Sequence, residues 1–350
     1  MKHPRRKFMT ASLLPPALCA ALAMSALARH VAPAAVVTPV DEIKLIAREG
    51  LTLTRTFEMV GEQESETTSD RGSFSVSGTI EKELVVIDVV QAVEDDRVLK
   101  LERTYDTISN EMVQSMENDA GGSREITGSG SSDLEGYSVL FEWDEDDEEY
   151  IASSEDVDDD LLEDLIYDYD FVVFLPDGDV SEGDEWEIDI EAFQKITKPW
   201  DGLSINMESE GDGASRMADD GQEPEIDESI DGELTATYMG TREEDGVTVA
   251  VIEIEGDIEA ERSISATNDF DGGSSEFESE STEESSIQGE VLWNIAGGHL
   301  HSLKIEIETE SSGTQHSVTR FGEQEFENDA EIEGTMTATL TVTVEETEED

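Results

Sequence analysis

His299 and His301 stand two residues apart in a stretch of alternating apolar residues. On a strand that spacing turns both imidazoles to one face and makes a two-histidine metal clip. His316 extends the set if an adjacent strand brings it alongside, and glutamates to complete a coordination sphere are plentiful. The chemistry would be metal-assisted hydrolysis. The competing reading is plainer: Gly297-Gly298 comes immediately before, so the pair also fits the exposed shoulder of a hairpin.

Carboxylates are the other abundant chemical group. The clusters at Asp144 to Glu149, Asp156 to Asp160 and Asp177 to Asp184 offer hard oxygen ligands, which suit weakly bound Ca2+. No EF-hand emerges: counted from Asp177, Glu182 occupies the place that needs glycine and Ile188 the place that needs a bidentate glutamate. Paired carboxylates for glycoside hydrolysis carry no information when 88 acidic residues are present, and the four tryptophans lie in or beside apolar runs, as core residues do. The sequence contains no G-x-S-x-G elbow, no H-E-x-x-H, no phosphate loop and no dinucleotide fingerprint. The expectation is a protein that is not an enzyme, with no catalytic residues and no cofactor beyond weak Ca2+.

The charge balance narrows the partners. Against 88 acidic residues stand 21 basic ones, a net charge of −67. Such a field repels phosphate backbones and anionic lipid surfaces, so nucleic acid is excluded as a partner, while cations and a basic protein partner are favoured. The hydrophobic fraction of 36% falls into patterned runs, which argues against a disordered chain.

The chain opens with Lys2, Arg5, Arg6 and Lys7, an apolar stretch from Phe8 to Leu27, and Ala26-Leu27-Ala28, the three parts of an export signal over residues 1–28. Arg5-Arg6-Lys7-Phe8-Met9 resembles a twin-arginine leader, although Pro4, Met9 and Thr10 depart from that pattern; ordinary Sec export fits as well. The only cysteine, Cys19, follows Leu18 and lies in the leader, so the mature chain has no disulfide. The implied location is extracytoplasmic, with no integral membrane span once the leader is removed.

Downstream, an Ala/Pro linker covers 29–41, and period-two alternation then dominates. Leu51, Leu53, Arg55, Phe57, Met59 reads as a half-buried strand; Phe74 to Val90 continues as one or two more, and the acidic turn near Glu94 reverses it into Leu99, Leu101 and Tyr105. Glu62 to Gly72 and Thr267 to Glu284 read as polar tips, Asn118 to Ser132 as a Gly/Ser-rich crossing, and Leu134 to Phe141 as a strand. Asp158 to Ile166 is the most helical piece, with aspartates at its N-terminal end and leucines at helical spacing. Met336 to Val344 alternates cleanly.

Residues 42–175 and 232–350 look like related halves: acidic turns recur near Glu94 and Glu244, and Leu134-Glu135-Gly136 echoes Ile287-Gln288-Gly289. Between them, 176–231 forms a Pro/Gly joint and connecting segment. Its first part runs Leu175-Pro176-x-x-x-Val180-x-x-Gly183-Asp184-x-Trp186, then Ile188 and Ile190 as a strand. That L-P-x-x-x-V-x-x-G-D-x-W pattern resembles a group of secreted bacterial all-β proteins of unknown function; the resemblance implies a structural class and no activity. On the residues themselves, Gly183 permits a turn, Asp184 caps it, Trp186 plugs a seam, and Pro176 stops the preceding run.

The expected fold is all-β with minor α: antiparallel sheets in two related halves, of β-sandwich or curved half-barrel type, with one short helix. Three functions of different classes follow. The first is a non-catalytic extracytoplasmic structural or interaction module. The second is a carrier of an apolar or lipid ligand, whose cavity would be lined by residues such as Leu84, Val86, Leu292 and Ile305. The third is a metal-dependent hydrolase centred on His299 and His301.

Overall fold

The computed structural model describes residues 43–70, 72–94, 97–119, 121–167, 170–200, 202–210, 225–270, 273–321 and 324–347. The expected leader, with Cys19, and the whole of the expected linker lie outside these residues. The fold is all-β and antiparallel, with thirteen strands in one sheet among the described residues. The N-terminal part supplies β1 (Thr52–Ser69), β2 (Gly72–Glu94), β3 (Arg97–Asn118), β4 (Ser123–Ser131), β5 (Ser138–Asp144) and β6 (Glu149–Ser153). After a largely irregular stretch come β7 (Glu185–Glu187), helix α1 (Ile190–Thr197) and β8 (Asn206–Glu210), then the long strands β9 (Glu225–Glu244), β10 (Val247–Phe270), β11 (Gly273–Asn294), β12 (His299–Phe321) and β13 (Gln324–Thr347).

The strand order is β6-β5-β3-β2-β1-β13-β12-β11-β10-β9-β7, with β4 pairing β3 and β8. The first strand thus pairs with the last, from Thr52 opposite Thr347 to Ser69 opposite Ala330. Segments 42–175 and 232–350 therefore join one continuous sheet. Their recurring motifs diverge in structure, since Leu134 to Gly136 forms a turn while Ile287 to Gly289 lies inside β11.

Alternation explains the core. One line of partnered residues runs across eight strands, Tyr238, Ile252, Val291, Leu303, Val342, Phe57, Leu84 and Ile108, each at most 1% exposed. Burying such a side chain contributes about 1.5–3 kcal/mol, which fixes the register because a one-residue slip would carry the whole row to solvent. Among the described residues no second sheet covers this face. The cover is the segment from Leu134 to Leu203: Phe171 stacks on Phe57 with ring centres 6.2 Å apart, Phe174 meets Phe193 edge-on, and Trp200 and Leu203 are buried with them.

Helix α1 belongs to that cover, and it displaces the helix expected at Asp158 to Ile166. Asp189 caps α1 by accepting a hydrogen bond from the Ala192 N–H at 2.8 Å, which ends the Trp186 strand before Ile190 and turns Phe193 and Ile196 inward. Asp158 makes no such side-chain bond, and its three adjacent carboxylates lead into only a short 3-10 turn with no basic residue in its last turn. The expected polar tips are corrected in the same way. Glu62 to Ser69 belongs to β1, Ser123 to Ser131 forms β4, and the β10 and β11 ladder runs to Phe270 and Gly273. Threonine suits a pleated strand, and ladder hydrogen bonds to neighbouring strands hold these polar stretches with few buried side chains, Thr67 among them.

Candidate ligand cavity

Three adjacent strands each place a charged residue in the phase that otherwise points to the core. Arg55 sits between Leu53 and Phe57 on β1, Asp88 between Val86 and Val90 on β2, and Arg103 between Leu101 and Tyr105 on β3, with Asp88 directly opposite Arg103. All three are buried, at 9%, 2% and 1% exposure. Asp88 accepts from Arg103 Nε at 2.7 Å and Nη2 at 3.0 Å, and from Arg55 Nη1. Arg103 also donates to the carbonyls of Ile166 and Tyr167, at 2.8 and 3.1 Å, tying the irregular cover to the sheet. Arg55 Nε has no hydrogen-bond partner among the described residues.

Burial pushes the Asp88 carboxyl up, but the charges of Arg103 and Arg55 and their hydrogen bonds outweigh it and hold it below the ordinary carboxylate range. Arg55 is pulled below its usual value, first by burial and then by the charge of Arg103, against the opposing pull of Asp88 and Asp170.

These groups form one wall of a cavity of about 360 Å3. Apolar side chains of the sheet end, Leu51, Leu53, Val90, Leu101 and Leu300, make most of the rest. Residues Leu45 to Ala47 close one side, held by the Ile46 N–H donating to the Gly298 carbonyl at 2.9 Å and the Trp293 indole N–H donating to the Lys44 carbonyl at 3.2 Å. Gly298 has φ +68°, and a Cβ there would collide with Ile46, so glycine is required for this closure. Aromatic rings line the other side: Tyr150 stacks on Tyr167 and meets Trp143 edge-on, its hydroxyl donates to the Val98 carbonyl at 2.7 Å, and Arg97 lies 4.3 Å above the Trp143 ring centre. A larger, more open trough of about 880 Å3 crosses β9 to β13, with acidic and hydroxyl residues making up most of its lining.

The histidines separate. His299 is buried at the cavity edge; its Nδ1 donates to the Leu300 carbonyl at 2.7 Å, and its Nε2 lies 3.4 Å from both Asn294 Nδ2 and a Glu346 carboxylate oxygen. His301 falls at a register shift between β11 and β12 and lies 3.9 Å from Asp245, so the expected two-histidine clip does not assemble. His316 lies on the same strand as His299, roughly 55 Å along at ~3.3 Å per residue, so it cannot join the pair. It is grouped with Glu327 and Asp329 on an exposed part of the sheet, Nδ1 being 2.6 Å from Asp329. Burial lowers the pKa of His299, while the Asp329 hydrogen bond raises that of His316. A proton NMR titration of the imidazole C–H signals should therefore place these two histidines on opposite sides of the ordinary value of 6.5. Coincident midpoints would contradict these environments.

The joint residues form a turn and an edge strand. Gly183 takes φ +90° and donates to the Tyr238 carbonyl, Asp184 accepts from the Ser181 N–H at 2.7 Å, and Trp186 on β7 pairs with Ala236 and packs half-buried against the core. Pro176 follows a 3-10 turn at Val172–Phe174. Of the acidic clusters, Asp144 closes the β5–β6 turn by accepting from the Asp146 N–H. The cavity lining expected for a carrier is also displaced: Leu84, Val86 and Ile305 are packed in the main core, and Leu292 belongs to a small separate cluster with Val249 and Val251. The sequence reading overlooked the Arg55–Asp88–Arg103 wall, although its signal was legible as one charge in the apolar phase of three successive strands.

Neither a comparison with protein-family profiles nor a search of characterised protein sequences gives a match. Among solved structures, an outer membrane channel from Pseudomonas putida F1 aligns over 87% of this chain and 100% of its own, at 9% identity and a TM-score of 0.17. The monoaromatic hydrocarbon channel CymD aligns over 85% and 89%, at 5% identity and a TM-score of 0.10. Scores this low assign neither fold nor function. Fold and site together define an antiparallel all-β protein with a partly polar cavity at one end of its sheet.

Proposed function

We propose that this chain is a non-catalytic extracytoplasmic binding protein that holds a small, mainly apolar molecule in the cavity beneath Leu45 to Ala47. The observation that carries this reading is the cavity itself. Its volume lies within the roughly 300–1,000 Å3 of small-molecule sites, and its walls combine aliphatic and aromatic side chains with a few converging polar groups. Export rests on the leader of residues 1–28. The sheet surface turned from the core carries the exposed Glu58, Glu62, Glu64, Glu308 and Glu310, where strands facing lipid would carry apolar residues; no helix among the described residues is long and apolar enough to cross a membrane. The acidic surface serves solubility and interaction with cations or a basic partner.

The test uses the neutral fluorescent probe N-phenyl-1-naphthylamine and the variant Ala47→Trp, which fills the cavity from its cover. The wild type should bind the probe saturably at one site per chain, and Ala47→Trp should weaken binding at least tenfold. Non-saturable binding, or equal binding by the two proteins, would remove the proposal.

A further inference from the structure

The geometry points to a narrower ligand class, one that rests on the cavity being a binding site: a compact apolar molecule bearing a single carboxylate, recognised through Arg55. Among the described residues, three arginines, Arg55, Arg97 and Arg103, line the cavity against two aspartates, Asp88 and Asp170. This excess of one positive charge stands inside a chain whose net charge is −67. Two of the arginines and Asp88 are buried, and buried charge is held only where it is paired or coordinated.

The arginines do not share Asp88 equally. Arg103 takes it through two nitrogens and also donates to the Ile166 and Tyr167 carbonyls, an arrangement that joins sheet to cover. Arg55 reaches Asp88 through Nη1 and keeps a buried Nε without a hydrogen-bond partner among the described residues. A guanidinium presents its donors as a planar fork suited to a carboxylate. Asp170 also lines the cavity and its charge acts on Arg55, so a ligand carrying two or more negative charges would meet repulsion from both aspartates. One carboxylate matches the excess. Beyond the arginines the lining is apolar and aromatic, from Leu53 and Leu101 to Trp143 and Tyr150, which selects a hydrocarbon or aryl body over a sugar or a phosphate ester.

The experiment is calorimetric titration of the full mature chain with octanoate, octan-1-ol and inorganic phosphate, repeated on Arg55→Met. That variant leaves the two-nitrogen contact of Arg103 with Asp88 in place, and circular dichroism with a thermal melt confirms that it folds. Octanoate should bind the wild type at least tenfold more tightly than octan-1-ol, phosphate should not bind, and Arg55→Met should lose the octanoate preference while keeping octan-1-ol. If octan-1-ol binds as tightly as octanoate, or if Arg55→Met keeps the preference, the carboxylate assignment is wrong and the cavity reading survives. If neither C8 probe binds, both fall. Phosphate binding abolished by Arg55→Met would show an anion site without apolar selection and overturn the inference.

Discussion

Asp88→Asn should destabilise the fold by about 3–5 kcal/mol, the usual cost of stripping one partner from a buried ion pair. The substitution keeps the side chain's shape and removes its charge, so Arg55 and Arg103 are left buried without the carboxylate that both contact. Its effect should exceed that of Arg55→Met, after which Asp88 still holds two hydrogen bonds from Arg103. Urea denaturation at neutral pH measures both.

The pH dependence has a definite sign. Because the folded carboxyl titrates below its ordinary value of 3.8, its contribution is complete above that value and is lost as pH falls from there through the lower folded value. Melting temperatures of the wild type should therefore converge on those of Asp88→Asn in acid and separate from them toward neutrality. A difference under about 1 kcal/mol at neutral pH would mean that the triad does not anchor the structure.

Trp293→Ala should cost a similar 3–5 kcal/mol, the range for removing a large buried aromatic residue. Trp293 is fully buried next to the β11–β12 turn, opposite Leu300, and its indole N–H reaches the Lys44 carbonyl. Losing it removes core packing and also unties the segment that closes the cavity. Trp293→Phe separates the two effects. It keeps most of the aromatic packing and loses the hydrogen bond, so it should lose about 1–2 kcal/mol of stability and show faster hydrogen exchange at Ile46, whose N–H bonds to Gly298. Unchanged exchange at Ile46 in Trp293→Ala would show that the cover is held by other contacts.

How much of this was legible in the sequence differs between fold and site. Alternation marked the inner face of β1, β2 and β13 because buried and exposed residues exchange at every step, and the turns at Asp144 to Glu149 and Glu243 to Gly246 were plain from their acidic and glycine residues. The polar strand β4 and the outer halves of β1, β10 and β11 were not legible as strands, since Ser, Thr and Glu residues fill both of their faces and leave no apolar alternation to read. Helix α1 was hidden by Ile188 and Ile190, which continue the Trp186 alternation until the Asp189 cap breaks it.

The histidines were conspicuous as chemical groups, yet distance along one strand and a register shift keep them apart. By itself the amino-acid sequence determined an antiparallel all-β class and a strongly acidic composition, because composition and local periodicity are properties of neighbours in the chain. Only the tertiary structure decided that the first strand pairs with the last, that irregular chain covers the core, and that Arg55, Asp88 and Arg103 meet. Those outcomes depend on which residues distant in sequence can satisfy one another's buried charge, hydrogen bonds and volume, and no local pattern records that.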